Sequence, residues 1–509
     1  MRKLLFILIM LPGLGMPCFS QGGFFRYFRY GSPMSENQVL CVREHPNGNY
    51  IVLFRYEDAT SEGIDFGFYT LSPNGDSIGT QGYRRPGNDY PEDFIIDNEG
   101  IYRLSGTHKL LNPPSDSRKL FYTINPSNSI QDQYHVYPNP TGYSGGDRIY
   151  KHKDQYCIFG SKTISPYSRF NLFRVTANGV VTLDSVYGGS NSDFANTGAL
   201  TIDGGYILAG GSFSYSTEQA KILVIKTDST GHELWRKSIG LERDSLDICR
   251  VTAEGILQAD NGNYYIAAQN SSHCDLPRGR TSSLLLCLDS TGKQLWIRED
   301  RFVMEGTYNG KPYYSKQQWS DIVRLKDGGL LCMGTIQIPI AAQPDKIQLQ
   351  VLLAKYDLDG NLTWKRILGD STMHELCYGI HATSDGGAIL TGRYEEALNP
   401  FQDVRTFVMK VDPCGCVVPG CDPNCISTGM AVERRNAPVI YPNPANNTLY
   451  IRSDTPIAWY RVMNILGATV LQGQVQDNTL SVQEVKRGVY IIELWDTGGN
   501  SFFEKIIKE

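Results

Sequence analysis

The chain of 509 residues has no basic run longer than two residues, and its 48 Lys and Arg are slightly outnumbered by 53 Asp and Glu, for a formal net charge of −5. Nucleic-acid binding depends on neutralising phosphates, so that class of partner is excluded. Long apolar runs are equally scarce. The only one opens the chain, Leu4 to Leu14, and Pro12 and Gly13 interrupt it short of the ~18 to 20 residues that span a bilayer. No transmembrane segment is therefore expected. The eight histidines form neither an H-E-x-x-H pattern nor a close H-x-H pair, which argues against a zinc hydrolase. Helical periodicity is almost missing, so the chain reads as all-β.

Two positive charges, Arg2 and Lys3, precede the N-terminal apolar run, and Pro17-Cys-Phe-Ser20 follows it. That order is the pattern of a secretory signal peptide over residues 1–20, with Cys18 and Ser20 as the small residues of the cleavage site. The 51 glycines and 30 tyrosines suit an exported β protein with many turns. Of the 12 cysteines, loss of Cys18 leaves an odd number, so at least one thiol is left without an intrachain partner.

One phrase recurs along residues 21–413. Its clearest copy runs Asp203-Gly-Gly-Tyr-Ile-Leu-Ala-Gly210, then Ile222-Leu-Val-Ile-Lys-Thr-Asp-Ser-Thr-Gly231, then Glu233-Leu-Trp-Arg-Lys-Ser-Ile-Gly240. Apolar runs alternate with Gly-Gly and Asp-x-x-Gly turns, which are strands joined by hairpins, because Gly and Asp tolerate the positive φ that tight turns need. Equivalent positions at Tyr50, Ile101, Tyr156, Tyr206, Tyr264, Leu330 and Ala388 give seven copies, spaced roughly 50 to 66 residues apart. That spacing holds four strands, the size of a propeller blade. A single unit of this size cannot bury its own core, so neighbours must stack, and the expected fold is a seven-bladed β-propeller.

The seventh copy stops after Val411-Asp-Pro-Cys-Gly415 without its Trp-bearing strand. Phe24-Phe-Arg-Tyr-Phe-Arg-Tyr-Gly31 matches Glu233 to Gly240 in pattern, so the strand 24–31 is expected to complete the last blade and lock the ring. The phrase Asp289-Ser-Thr-Gly-Lys-Gln-Leu-Trp296 resembles the repeat of quinoprotein-like bacterial propellers. That resemblance implies a fold but no activity.

No catalytic residue emerges. Gly142-Tyr-Ser-Gly-Gly146 fits the G-x-S-x-G pattern, but a nucleophile elbow must join a strand to a helix, and this segment reads as a turn. Asp357-Leu-Asp-Gly-Asn361 starts like a calcium loop yet lacks the later ligands; sister blades carry Asp228-Ser-Thr-Gly231 and Asp289-Ser-Thr-Gly292 there, so a hairpin turn is expected and no metal. Quinone-dependent enzymes of this repeat type use eight blades and an acidic cofactor site, so no cofactor is expected. Cys414, Cys416, Cys421 and Cys425 cluster in a Cys-rich linker, 414–436. Four thiolates could hold zinc, but export into an oxidising space favours two disulfides, with the pairing open. Cys249 and Cys274 could pair across one blade, and Cys157, Cys287 and Cys332 read as buried thiols.

Residues 437–509 change pattern to short alternating strands, the signature of a small Ig-like β-sandwich. Tyr441-Pro-Asn-Pro444 opens this segment, Asn464-x-x-Gly467 follows, then Gly488-Val-Tyr490, and Lys505-Ile-Ile-Lys508 ends it. In that order the motifs resemble the type A C-terminal sorting domain of the type IX secretion system of Bacteroidota. The resemblance implies that Tyr441, Pro442, Asn443, Pro444, Asn464, Gly467, Gly488, Tyr490, Lys505 and Lys508 belong to an export label read by that machinery. It also implies passage through the periplasm and outer membrane to the cell surface or medium, often with removal of the domain. A second Tyr-Pro-Asn-Pro, at residues 137–140, has no such sequel.

The expected function is non-enzymatic binding or adhesion, with a glycan or protein ligand held by loops of one ring face. Tyr308, Tyr313, Tyr314 and Trp319, in the long insert before the sixth blade, are candidate contacts. The alternative is an extracellular carbohydrate-active enzyme, which needs two carboxylates on the central channel at a definite separation. Paired inward acids with raised pKa favour the enzyme; a neutral or plugged channel favours binding.

Overall fold

In the computed structural model the described residues are 23–28, 38–57, 63–84, 87–109, 117–127, 132–137, 143–215, 220–241, 250–271, 281–300, 306–308, 311–313, 316–340, 343–369, 373–396, 404–417, 438–453, 456–464, 469–475, 477–497 and 501–509. All regular structure among them is β. Six four-stranded antiparallel sheets follow one another in chain order, each a meander whose first strand is innermost, and a seventh joins three further consecutive strands to one from the N-terminal end. The inner strands are Gln38–Glu44, Asn88–Ile96, Tyr143–His152, Asp193–Leu200, Val251–Gln258, Gln317–Arg324 and Met373–Ala382. They line one channel together, which makes the sheets the blades of a seven-bladed β-propeller. Cores lie between blades: Tyr265, Leu285 and Cys287 of blade five pack with Trp319, Leu330 and Leu352 of blade six. In blade two the repeat position falls at Tyr102 rather than Ile101, because Ile101 closes the preceding turn by accepting from Asp97 N.

The Asp-x-x-Gly phrase is a local hydrogen-bonding device. At Asp228, Asp289 and Asp357 one carboxylate oxygen accepts the backbone N–H groups two and four residues on, at 2.8 to 3.0 Å, so the side chain closes the turn before the outer strand begins. The outer strand then carries an aromatic that packs under the turn of the next blade. A Cβ at Gly292 would lie 2.9 Å from the Trp235 ring, one at Gly360 2.8 Å from Trp296, and one at Gly415 2.6 Å from Trp364. Only glycine allows that approach.

Blade seven obtains its outer strand from the other end of the chain. Phe24–Phe28 pairs antiparallel with Arg405–Val411, outside Ala388–Glu396. Phe24 faces Lys410 as Trp235 faces Lys226, so Phe24 takes the Trp position. The pattern match that set Arg26 opposite Trp235 is off by two, a shift that keeps the same face outward because strand side chains alternate. Phe24 also meets the turn of blade one, where a Cβ on Gly75 would come within 2.5 Å of its ring. The staple therefore continues across the closure.

The C-terminal segment forms a second core. A three-stranded sheet (Val439–Tyr441, Thr448–Arg452, Thr479–Ser481) faces a four-stranded one (Ile457–Asn464, Thr469–Gln474, Gly488–Asp496, Ser501–Lys508). Leu449, Ile451, Val462, Ile492 and Ile506 fill the space between them, giving the small β-sandwich expected.

Candidate functional site in the central channel

Every inner strand of the ring carries a β-bulge at one register. A bulge inserts one unpaired residue and re-aims the side chains that follow. Asp93, Arg148, Thr197 and Asp321 follow the bulge in blades two, three, four and six, and Arg43, Tyr150 and His381 lie one tier on. These residues line a cavity of about 530 Å³ bordered by all seven inner strands.

The charges there are committed to one another. Arg148 Nη2 donates to Asp321 Oδ2 at 2.8 Å, joining blades three and six, which are not neighbours, so the pair spans the channel. Arg43 donates to Asp93, which also accepts from the backbone N–H of Phe94 at 2.9 Å and of Ile149 at 3.2 Å. Asp321 accepts from Ile322 N at 2.8 Å. Burial raises the Asp321 carboxyl above its ordinary value against the pull of Arg148. Asp321 in turn holds the Arg148 guanidinium firmly charged against burial. Burial, with Arg43 beside it, lowers His381 to about 3, so its imidazole is neutral. Two guanidinium groups and two carboxylates thus neutralise one another in the channel lining.

One acid differs. Glu254, the bulged residue of blade five, accepts from Thr252 Oγ1 at 2.8 Å, Gln269 Nε2 at 2.6 Å and Asn196 Nδ2 at 3.4 Å. Burial pushes it up to about 7, against those hydrogen bonds and the pull of Arg148 and Arg250. It has no ion-pair partner among the described residues and can exchange a proton near neutral pH.

Of the candidate contacts named from sequence, one is withdrawn from the surface. Trp319 is a correction: it sits on an inner strand at 1% exposure in the core between blades five and six, because the strand begins at Gln317, earlier than the insert pattern suggests. Tyr308 and Tyr313 lie on a short hairpin, Gly306–Tyr308 with Lys311–Tyr313, and Tyr314 lies outside the described residues. The Gly142-to-Gly146 turn is also corrected. Tyr143–His152 is the inner strand of blade three, with its irregularity between Ser144 and Arg148, so Gly145 and Gly146 fall within that irregularity. The hairpin at Asp357 holds, closed by Asp357 N to Asn361 O at 3.0 Å. No cluster of metal-ligating side chains occurs among the described residues.

Cys414 and Cys416 lie in the turn after the last propeller strand, buried at 5% and 1%. They are not among the free thiols of the described residues, which are Cys41, Cys157, Cys287, Cys332 and Cys377. Cys18, Cys249, Cys274, Cys421, Cys425 and residues 1–20 fall outside the described residues.

The export motifs converge on the four-stranded sheet of the C-terminal domain. Asn464 pairs with Tyr490, Gly488 with Lys508, and Ile491 with Lys505. Asn443 Oδ1 accepts from Ile507 N at 2.8 Å, and Ala445 exchanges backbone bonds with Ile507 and Glu509. The segment from Tyr441 to Ala445, with Pro442 and Pro444, is therefore stitched to the end of the chain. Gly467 lies outside the described residues.

Residues 439–509 match the family described as the secretion system C-terminal sorting domain. The molecule is thus a seven-bladed β-propeller followed by a sorting domain. That domain assigns it to the type IX secretion system and to the cell surface or extracellular space. Among the described residues no helix is long and apolar enough to cross a membrane. No curated protein matches the chain. Solved structures with a similar course include the polysaccharide lyase Uly1 (7% identity, TM-score 0.45, 73% of this chain and 89% of that one). The α-L-arabinanase of Penicillium chrysogenum (11%, 0.38, 74% and 93%) and the β-propeller domain of the trilobed protease from Pyrococcus furiosus (7%, 0.41, 74% and 95%) are further examples. At these identities they say nothing about activity.

Proposed function

We propose that this is an exported, non-enzymatic binding or adhesion protein whose propeller meets a glycan or protein ligand outside the cell. In this reading residues 1–20 are removed as a signal peptide, and the type IX machinery reads the C-terminal domain. The observation that carries the binding reading is the Arg148–Asp321 pair across the channel. A glycosidase needs two carboxylates free to act as acid and as base or nucleophile, and here both channel aspartates are held by guanidinium groups and backbone N–H donors. Cys414 and Cys416, in this reading, pair with Cys421 and Cys425 and clamp the ring exit to the linker.

The test is a glycan array run beside a hydrolysis screen on the secreted protein. Saturable binding without product supports the proposal, and turnover of any glycan overturns it. Glu254 favours a second reading, a carbohydrate-active enzyme, since a carboxyl near 7 suits a general acid. Under that reading Glu254→Gln abolishes turnover; under the first it leaves binding in place.

A further inference from the structure

At the end where the chain enters the inner strands, two cations flank one aromatic ring. The guanidinium carbon of Arg55, from blade one, lies 5.3 Å from the centroid of Tyr90 in blade two. Lys109 Nζ lies 4.8 Å from the same centroid. Arg55 also donates to the side-chain oxygen of Gln38. Neither cation has a carboxylate partner among the described residues, whereas Arg43, Arg148 and Arg393 nearby hold Asp93, Asp321 and Glu395. Attraction to the face of Tyr90 draws both charges to one spot, where they repel each other.

Phe194 of blade four stands at the same inner-strand register as Tyr90, two residues before the bulge, and is 37% exposed. Beside Phe194 and on the next blade come hydrogen-bonding groups rather than apolar ones: Asn196 of blade four with Thr252 and Gln269 of blade five, gathered around Glu254. Aromatic faces set apart on one mouth, with amides and hydroxyls beside them, suit the apolar ring faces and hydroxyl edges of sugars. A peptide would instead call for an open strand edge or a groove of apolar pockets.

We infer that this mouth binds an acidic polysaccharide, with Arg55 and Lys109 taking its carboxylate or sulfate groups and Tyr90 and Phe194 stacking on its sugar rings. The inference rests on the binding reading above and names the ligand class for it. A polyanion also accounts for why the two cations need no partner within the protein.

The experiment measures binding of the secreted protein to polygalacturonate, chondroitin sulfate, neutral dextran and poly-glutamate. The expected result is retention by one or both acidic polysaccharides and not by dextran, weakening at least about tenfold when salt rises from roughly 50 to 300 mM. Polygalacturonate against chondroitin sulfate tells carboxylate from sulfate preference. Arg55→Gln with Lys109→Gln weakens binding at least about tenfold and Phe194→Ala several-fold, with unchanged circular dichroism and thermal melting as the fold control. Undiminished binding in the Arg55/Lys109 double variant, or equal binding to poly-glutamate, overturns the inference. Binding to neutral glycans alone also overturns it while leaving the binding function standing; turnover in the hydrolysis screen removes that function instead.

Discussion

Lys410 is 0% exposed, and its ammonium donates to Asp385 Oδ2 at 2.8 Å, Asp385 Oδ1 at 3.0 Å and Val411 O at 3.0 Å. Asp385 belongs to the Gly-Gly turn of blade seven and also accepts from Gly387 N at 3.1 Å. Asp385→Asn keeps an acceptor for the turn but removes the charge, leaving a buried ammonium without its counter-ion. Breaking a buried pair in this way costs about 3 to 5 kcal/mol. The protein carries its own control. Blades four and six repeat the pair as Asp203–Lys226 and Asp327–Lys355. Blades one and five have Asn47 and Asn261 at the turn and Thr70 and Cys287 at the lysine position. Where the acid is gone the lysine is gone too. Asp385→Asn with Lys410→Thr should therefore recover most of the loss, to within about 1 to 2 kcal/mol of the parent. Denaturant midpoints for the parent, both single variants and the double variant close the cycle. A single-variant cost under about 1 kcal/mol, or strictly additive losses, would refute the reasoning. Burial pushes the Asp385 carboxyl up, but Lys410 and the hydrogen bonds from Thr383 and Gly387 together hold it below its ordinary value, which adds a pH sign. Its stabilisation is present above the unfolded carboxylate value, near 3.9, and is lost as pH falls through the lower folded value.

Phe24→Ala removes the buried aromatic that closes the ring and should cost about 3 to 5 kcal/mol; a change under about 1 kcal/mol in denaturant midpoint would show that closure lies elsewhere. Glu254, raised to about 7 when folded, favours the folded state while protonated. Stability should then decline as pH rises from about 4.5 through 7, by at most about 3 kcal/mol, and Glu254→Gln should flatten that slope in pH-dependent melting. Mass spectrometry of the secreted protein without reductant should find Cys414 and Cys416 linked to Cys421 and Cys425, and free thiols at all four positions would refute the clamp.

The repeats were legible because their chemistry is local. An aspartate that accepts two N–H groups within four residues, and a glycine at positive φ, leave the same letters in each copy whatever the rest of the chain does. The order of motifs in the sorting domain was legible for a related reason: Gly488 and Lys508 pair in one sheet, and Asn443 of Tyr441-Pro-Asn-Pro444 is hydrogen-bonded to that sheet's last strand. The buried lysines were written in every phrase that has them, in Ile225-Lys-Thr, Ala354-Lys-Tyr and Met409-Lys-Val. They read as polar interruptions of apolar strands, because the residues opposite them are Ile207, Leu331 and Ile389, and the aspartate reaches over from the turn just before that strand.

The channel was not legible at all, and the reason is geometric. Arg148 and Asp321 lie 173 residues apart, in blades that are not neighbours in the ring, and they meet only because a ring brings every inner strand to one axis. A bulge or irregularity in each strand decides which side chain turns inward, and it leaves no fixed letter: the residue after it is Cys41, Asp93, Arg148, Thr197, Gly255, Asp321 or Gly379. Trp319 shows the same limit from the other side, since a residue near the insert was drawn inward by a strand that starts sooner than the turn letters imply. The distinction between the two Tyr-Pro-Asn-Pro segments has the same form. Tyr137 closes an outer strand of blade two and donates to Gly179 O at 2.6 Å, whereas Tyr441 leads into an asparagine that accepts from Ile507 and stitches the start of its domain to the chain end. Four identical letters become a turn or a label according to the strand that comes to meet them.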